Sequence, residues 1–303
     1  SDPEGEIGLC SLASIVVGRV SDEEYEDVAY YCALMIDNVI EIMEYPFASL
    51  ETTAKARRSI GVGITNLAHE MALRKLSYSS LEGKNHIHFI AERHSYFLHK
   101  ASLRLAREKG NAEWIDRTKY PEGWLPIDTY NRNVDEVHTQ PLVYDWEELR
   151  KAIIEQGGIR HSVLEAMMPV ESSSQLTNST NGLYPIRNLK VMKTSGTSKN
   201  LLIAPDAEEL APYYDIAWNL DSKDLIELYA IVQKFTGQAI SADLYLNMQN
   251  QQTVSTRQLL SDFFYMMKLG CKTRYYLNSD SGIVHEGYEK VEDVGCAGGA
   301  CTL

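Results

Sequence analysis

Thr256-Arg257-Gln258-Leu259-Leu260-Ser261-Asp262-Phe263-Phe264-Tyr265-Met266-Met267-Lys268-Leu269-Gly270-Cys271-Lys272-Thr273-Arg274-Tyr275-Tyr276-Leu277 changes character at its glycine. Residues 256–269 read as a helix, and Gly270 stands where a helix ends in the left-handed conformation. The β-rich run 271–277 follows at once. A helix feeding directly into a strand is the signature of an α/β chain, and the pattern recurs upstream. Predicted helices cover 66–75, 84–109 and 223–235, the last two followed by Gly110 and Gly237. Asp145 caps another that ends at Gly157-Gly158, and Ser21-Asp22-Glu23-Glu24 has the form of a capping box. The helix opened by that box carries Val28, Tyr31, Leu34, Met35, Val39 and Ile42 and stops before Pro46. Short β-rich runs lie between, at 12–17, 162–168, 189–193, 239–244 and 271–277. Helices alternating with short strands imply an α/β fold with much parallel pairing. Residues 110–145 are loop-rich, with Pro121, Pro126 and Pro141. From about Ser279 the chain turns acidic and glycine-rich. That divides it into a folded part, 1–278, and an expected flexible tail, 279–303.

The chain's 303 residues, 44% of them hydrophobic and 23% charged, suit a soluble globular protein with a sizeable core. A net charge of −13 argues against coating nucleic acid, which needs clustered cations. No apolar run approaches the roughly 20 residues of a membrane span. Cys10, Cys32, Cys271, Cys296 and Cys301 are too few and too scattered for a secreted disulfide framework, so a reducing cytoplasm is expected.

Several residue groups invite a chemical reading, each beside a plainer one. Cys296 and Cys301 lie five positions apart among small residues near the terminus, where mobility and access suit thiol–disulfide exchange. A coil of twenty residues beyond Tyr276 spans about 25 Å. The alternative is an unused pair. Cys10 sits in an apolar strand-like run, as inert buried cysteines do; Cys32 and Cys271 read as core. Pro169-Val170-Glu171-Ser172-Ser173-Ser174-Gln175 follows a strand and opens a helix, which fits either an anion site or ordinary capping. Tyr275-Tyr276 fits packing among 18 tyrosines. Gly61-Val62-Gly63 lacks the third glycine of a dinucleotide fingerprint. His86, His88, His94 and His99 lie along one helix without the spacing of a shared ligand face, so no metal site is expected.

In their order, these blocks resemble one family. Glu4-Gly5-Glu6-Ile7-Gly8-Leu9-Cys10-Ser11-Leu12, Arg57-Arg58-Ser59-Ile60-Gly61-Val62-Gly63, Leu125-Pro126-Ile127-Asp128-Thr129-Tyr130 and Tyr144-Asp145-Trp146-Glu147 resemble the large subunit of class I ribonucleotide reductase. So do Met168 to Gln175, Lys272-Thr273-Arg274-Tyr275-Tyr276-Leu277-Asn278 and the terminal Cys296/Cys301. The resemblance runs over essentially the whole chain. It implies about half of a ten-stranded α/β barrel that reduces ribonucleoside diphosphates by thiyl-radical chemistry. It implies that Cys10 is one of two thiols that reduce the substrate, re-reduced by Cys296 and Cys301 on behalf of thioredoxin or glutaredoxin. Tyr275 and Tyr276 match a radical relay from a small subunit bearing a diiron tyrosyl radical, with Tyr276 outermost. Glu171, Ser172 and Ser173 match the diphosphate-binding turn. At Val170, where the family often has a hydroxyl residue, only a backbone contact carries over.

The family's radical-bearing cysteine, the partner thiol of Cys10 and the sites for ATP and dNTP effectors all match positions ahead of Ser1. The expectation is therefore one chain of a divided large subunit, inactive without a front-half chain. No cofactor is expected in this chain itself. A stand-alone thiol–disulfide carrier would explain the tail but not the tyrosine pair; a regulatory remnant without catalysis would explain the absent front. Oxidising a phenol, whose pKa is about 10, moves a proton as well as an electron, which suits tyrosines set side by side.

Overall fold

The computed structural model of the chain describes residues 5–195, 198–249 and 253–281. Its helices are α1 Tyr25–Ile42, α2 Ala48–Arg57, α3 Leu67–Leu73, α4 Leu81–Lys109, α5 Pro126–Thr129, α6 Trp146–Gln156, α7 Glu171–Leu176, α8 Ala207–Leu210, α9 Ser222–Gln233 and α10 Thr256–Leu269. The strands are β1 Ser11–Val16, β2 Ile60–Thr65, β3 Lys190–Ser195, β4 Ser198–Ile203, β5 Leu244–Asn247 and β6 Leu277–Asp280.

Local chemistry sets the helix ends. The Ser80 hydroxyl accepts from the Gly83 amide at 3.0 Å, Asp145 from Glu148 at 2.9 Å and Ser255 from Gln258 at 3.1 Å. Gly157 and Gly270 close α6 and α10 with positive φ. Ser21 and Glu24 bond reciprocally one residue ahead of α1.

The sheet grows from β1 and β2, parallel with Leu12 opposite Gly61. Residues 163–166 run along the other edge of β2: Ile60 N donates to Val163 O, Val62 N to Leu164 O, and Val62 pairs in parallel with Glu165. Ser241 N donates to Met167 O, which joins this segment to the one leading into β5, and β5 pairs in parallel with β6. The β1–β2 pair is thus linked to the separate β5–β6 pair through residues 163–167 and the single Ser241–Met167 bond. Among the described residues the sheet does not close on itself. Helix α4 crosses beneath it, and Ile15, Ile60, Val62, Ile64, Ile87, Ile90 and Leu98 form the heart of the core.

The structure departs from the sequence reading in several places. Residues 60–65 form the fully buried strand β2, which two glycines had concealed. A Cβ on Gly61 would lie 2.8 Å from the Ala166 Cβ, and one on Gly63 would lie 2.7 Å from the Ala166 carbonyl oxygen. The neighbouring segment approaches too closely for any side chain. Helix α2 and the β4 arm of an antiparallel hairpin went unread. The runs at 239–244 and 271–277 stay irregular for most of their length, and pairing starts at Leu244 and Leu277. The division drawn after residue 278 falls inside β6, which runs to Asp280.

Finally, α1 buries Ala29, Tyr30, Ala33, Ile36 and Ile40, leaving Tyr31, Met35, Val39 and Ile42 exposed. The helix has two apolar faces, and the one more conspicuous in sequence is outside.

Candidate active site

Cys10 lies one residue before β1 with its side chain exposed. Burial of part of its surroundings still raises the thiol above the ordinary range. Gly61 on β2 is its neighbour: a Cβ built there would lie 3.7 Å from that of Cys10. On the same glycine face, a Cβ on Gly63 would meet the Met168 sulfur at 2.9 Å. A strip of β2 without side chains therefore connects the candidate thiol to the segment that leads into Val170. Cys32 and Cys271 are half-buried against the core, and burial pushes their thiols up to about 11 and about 12. Both suit the packing role read from sequence.

Val170 is the N-cap of α7 and is buried. Its amide donates to Asn181 Oδ1 at 2.6 Å, and Asn181 Nδ2 donates to Glu171 Oε1 at 2.8 Å. Asn181 thus clamps the turn from below, while Glu171, Ser172 and Ser173 stand exposed on the helix's first turn. Arg19 donates to the Thr177 and Asn178 carbonyls at the other end of α7. Arg19 was not singled out in sequence. Asn181 belongs to Thr180-Asn181-Gly182, which continues the candidate anion-site run beyond Gln175, but which amide it would hold depends on the fold.

Tyr275 and Tyr276 lie between α10 and β6, both partly exposed. Their ring centroids are 4.0 Å apart at 50°, and the Tyr275 hydroxyl donates to that of Tyr276 at 3.2 Å. The rings therefore share one side of the backbone, although consecutive strand residues point to opposite faces. Behind them lies Tyr184, whose hydroxyl donates to the Ser241 carbonyl at 2.7 Å. Burial raises the Tyr184 phenol far above its ordinary value, and Asp243, Tyr275 and Glu171 raise it further. Tyr184 thus sits within electrostatic reach of both the tyrosine pair and the α7 turn. Tyr229, beneath it, donates to the Asp243 carbonyl at 2.8 Å. These buried phenols give their protons to backbone carbonyls, which are poor bases; the exposed pair joins hydroxyl to hydroxyl. Cys296 and Cys301 lie outside the described residues.

The α4 histidines have separate duties. His94 bonds to the Tyr25 hydroxyl and the Val62 carbonyl at 2.9 and 3.0 Å, and His99 to the Ser95 carbonyl at 2.8 Å. Burial lowers both imidazoles to about 4, so they are neutral struts between α4 and its neighbours.

Comparison with known proteins points to one family. The family described as "Ribonucleotide reductase, barrel domain" matches residues 1–277. The ribonucleoside-diphosphate reductase subunit alpha of Haemophilus influenzae is 37% identical over 307 residues, covering 100% of this chain and 40% of the relative. The subunit alpha of Enterobacteria phage T4 is 35% identical over 315 residues, with 100% and 41% covered. The ribonucleoside-diphosphate reductase 1 subunit alpha of Escherichia coli K12 is 36% identical over 270 residues, with 87% and 35% covered. The chain thus spans about 40% of the length of the curated relatives that it matches end to end. It belongs to the ribonucleotide reductase barrel-domain family, of which it is the C-terminal part of a large subunit.

Proposed function

We propose that this chain supplies the tyrosine relay, one reducing thiol and the diphosphate-binding turn of a ribonucleoside-diphosphate reductase. The reading rests on the tyrosine pair, whose rings at 4.0 Å and hydroxyls at 3.2 Å suit short transfers of an electron with its proton. In this reading the chain forms one half of a ten-stranded barrel. Tyr276 takes up the oxidising equivalent from a radical-bearing small subunit with a diiron tyrosyl radical, and Tyr275 passes it inward. The radical-bearing cysteine, the partner thiol of Cys10 and the ATP and dNTP effector sites belong to the part of the relatives that this sequence does not span.

The substrate 2′-hydroxyl leaves as water, hydrogen takes its place, and the two thiols, one of them Cys10, supply two electrons and become a disulfide. Cys296 and Cys301 reduce that disulfide by exchange and are themselves reduced by thioredoxin or glutaredoxin. Val170, through its backbone, and Glu171, Ser172 and Ser173 hold the diphosphate where the first-turn amides of α7 point outward. Asn181 already occupies the Val170 amide, so the later amides and the two serine hydroxyls carry more of that contact.

The test is reconstitution. The chain with a small subunit and CDP is expected to give no deoxycytidine diphosphate. Adding a polypeptide that corresponds to the N-terminal 60% of the relatives should restore turnover. Turnover by the chain and small subunit alone, or none by the complete mixture, would overturn the proposal.

A further inference from the structure

The parallel ladder of β5 and β6 slips by one residue where it reaches the tyrosine pair. Leu244 N donates to Tyr276 O at 2.9 Å, and Met248 N donates to Asp280 O at 2.7 Å. In a parallel ladder of that register, with Leu244 opposite Leu277, the next bond back runs from Tyr276 N to Ala242 O. Instead Tyr275 N donates to Ala242 O at 2.9 Å. The displaced Tyr276 amide donates to Asp243 Oδ1 at 3.2 Å. The segment thus carries one residue more than its partner, the defining property of a bulge, and a bulge re-aims side chains.

Asp243 is built for that position. It is buried, and its other carboxylate oxygen accepts from Asn278 Nδ2 at 3.1 Å. Arg187 donates to Asn278 Oδ1 at 2.9 Å, which fixes the amide so that its nitrogen faces the carboxylate. The Tyr229 hydroxyl holds the Asp243 carbonyl at 2.8 Å. The carboxylate is clamped before it meets the Tyr276 amide.

We propose that Asp243 is a positioning residue for the tyrosine relay: by drawing the Tyr276 amide out of the ladder, it sets two consecutive tyrosine rings on one side of the backbone. Without that acceptor the Tyr276 amide takes Ala242 O from the Tyr275 amide, the ladder regains its register, and alternation turns the rings apart. The inference rests on the relay reading for its effect on turnover, but not for its effect on geometry.

Measurements of geometry and of turnover separate these. In wild-type chain, isotope-labelled and deuterated, a through-hydrogen-bond coupling should join the Tyr276 amide nitrogen to the Asp243 carboxyl carbon. Coupling to the Ala242 carbonyl carbon would overturn the proposal without any variant. Ring-to-ring cross-relaxation between labelled Tyr275 and Tyr276 should be strong in wild type and in the double variant Asp243→Asn with Asn278→Asp, in which the amide oxygen at 243 still accepts from Tyr276 and its nitrogen faces a carboxylate. It should be lost in Asp243→Ala. Persistence of the ring contact in Asp243→Ala would also overturn the proposal. In the reconstituted reductase, Asp243→Ala should lower kcat at least tenfold at unchanged KM for CDP, and the double variant Asp243→Asn with Asn278→Asp should retain most of the wild-type kcat. If Asp243→Ala separates the rings while turnover stays normal, Asp243 positions the pair but the relay reading fails.

Discussion

Phenylalanine at position 275 or 276 keeps the ring and its packing but has no phenolic proton to give. Either variant should dock the small subunit and bind substrate nearly as wild type, with a melting temperature within a few degrees. As a packing residue, each tyrosine would lose only a hydroxyl hydrogen bond worth about 0.5–1.5 kcal/mol. As a relay residue, each should lose turnover by orders of magnitude. Steady-state assays beside thermal melts decide between these, and full activity in either variant removes the relay. The adjacency of the two tyrosines was plain in sequence, and their role came only by resemblance. What makes them stack was not legible at all. Asp243 lies more than thirty positions upstream, and nothing in its immediate sequence marks its carboxylate as the partner of a backbone amide in the segment ahead of β6.

Several helix ends were legible because caps act within four residues of one another: Gly110, Asp145, Gly157 and Gly270 mark boundaries with local chemistry, whereas the Ser80 cap that starts α4 three residues before the expected 84 was missed. Strand β2 was not, because the reason for its glycines is the close approach of residue 166, remote in sequence. Between β2 and α4 the segment 163–166 brings a carboxyl group into the core. Glu165 is buried and lies 2.8 Å from the Ser95 hydroxyl, which is also 2.7 Å from the Phe235 carbonyl. That hydroxyl has one proton and a carbonyl can only accept, so Ser95 donates to Phe235 and a protonated Glu165 donates to Ser95. His99 faces the same carboxyl at 3.6 Å and gives its Nδ1 proton to the Ser95 carbonyl. Burial pushes Glu165 up to about 8. Its folded pKa therefore exceeds the unfolded one, and the folded state holds the proton longer. The associated stability is complete below the unfolded value near 4.5 and is lost as pH rises towards 8. Urea unfolding of wild type should show stability falling by a few kcal/mol between pH 5 and pH 8. Glu165→Gln, which keeps an N–H donor towards Ser95, should flatten that slope. A slope unchanged by the substitution would place the titration elsewhere.

Across the whole molecule, the sheet leaves one edge of β1 unpaired among the described residues, and α1 packs beside that strand with its second apolar face outward. Ile42 is 80% exposed, Tyr31 63% and Met35 57%, spaced so that they form one stripe along the helix. Leu12 on β1 and Phe47 ahead of α2 are also exposed. A sheet edge flanked by an apolar helix face is the shape left when an α/β unit is parted from a neighbour of like architecture, and such an edge left open invites aggregation. The relatives extend over more than twice the length of this chain, so polypeptide of the right kind exists in them to cover it. The sequence already showed α1's outward residues as an apolar row; that they face away from this chain's own core depends on how α1 meets α4. A stable interface buries about 800 Å² on each side, more than this stripe alone supplies, so β1 and Phe47 should take part. The chain mixed with the N-terminal polypeptide should sediment as a complex at micromolar concentration. Replacing both Tyr31 and Ile42 by Asp should weaken that association at least tenfold. Because both side chains are exposed in the chain alone, its melting temperature should change little. Equal affinity of the double variant would move the contact off α1, and a lone sedimenting chain in the wild-type mixture would deny the association altogether.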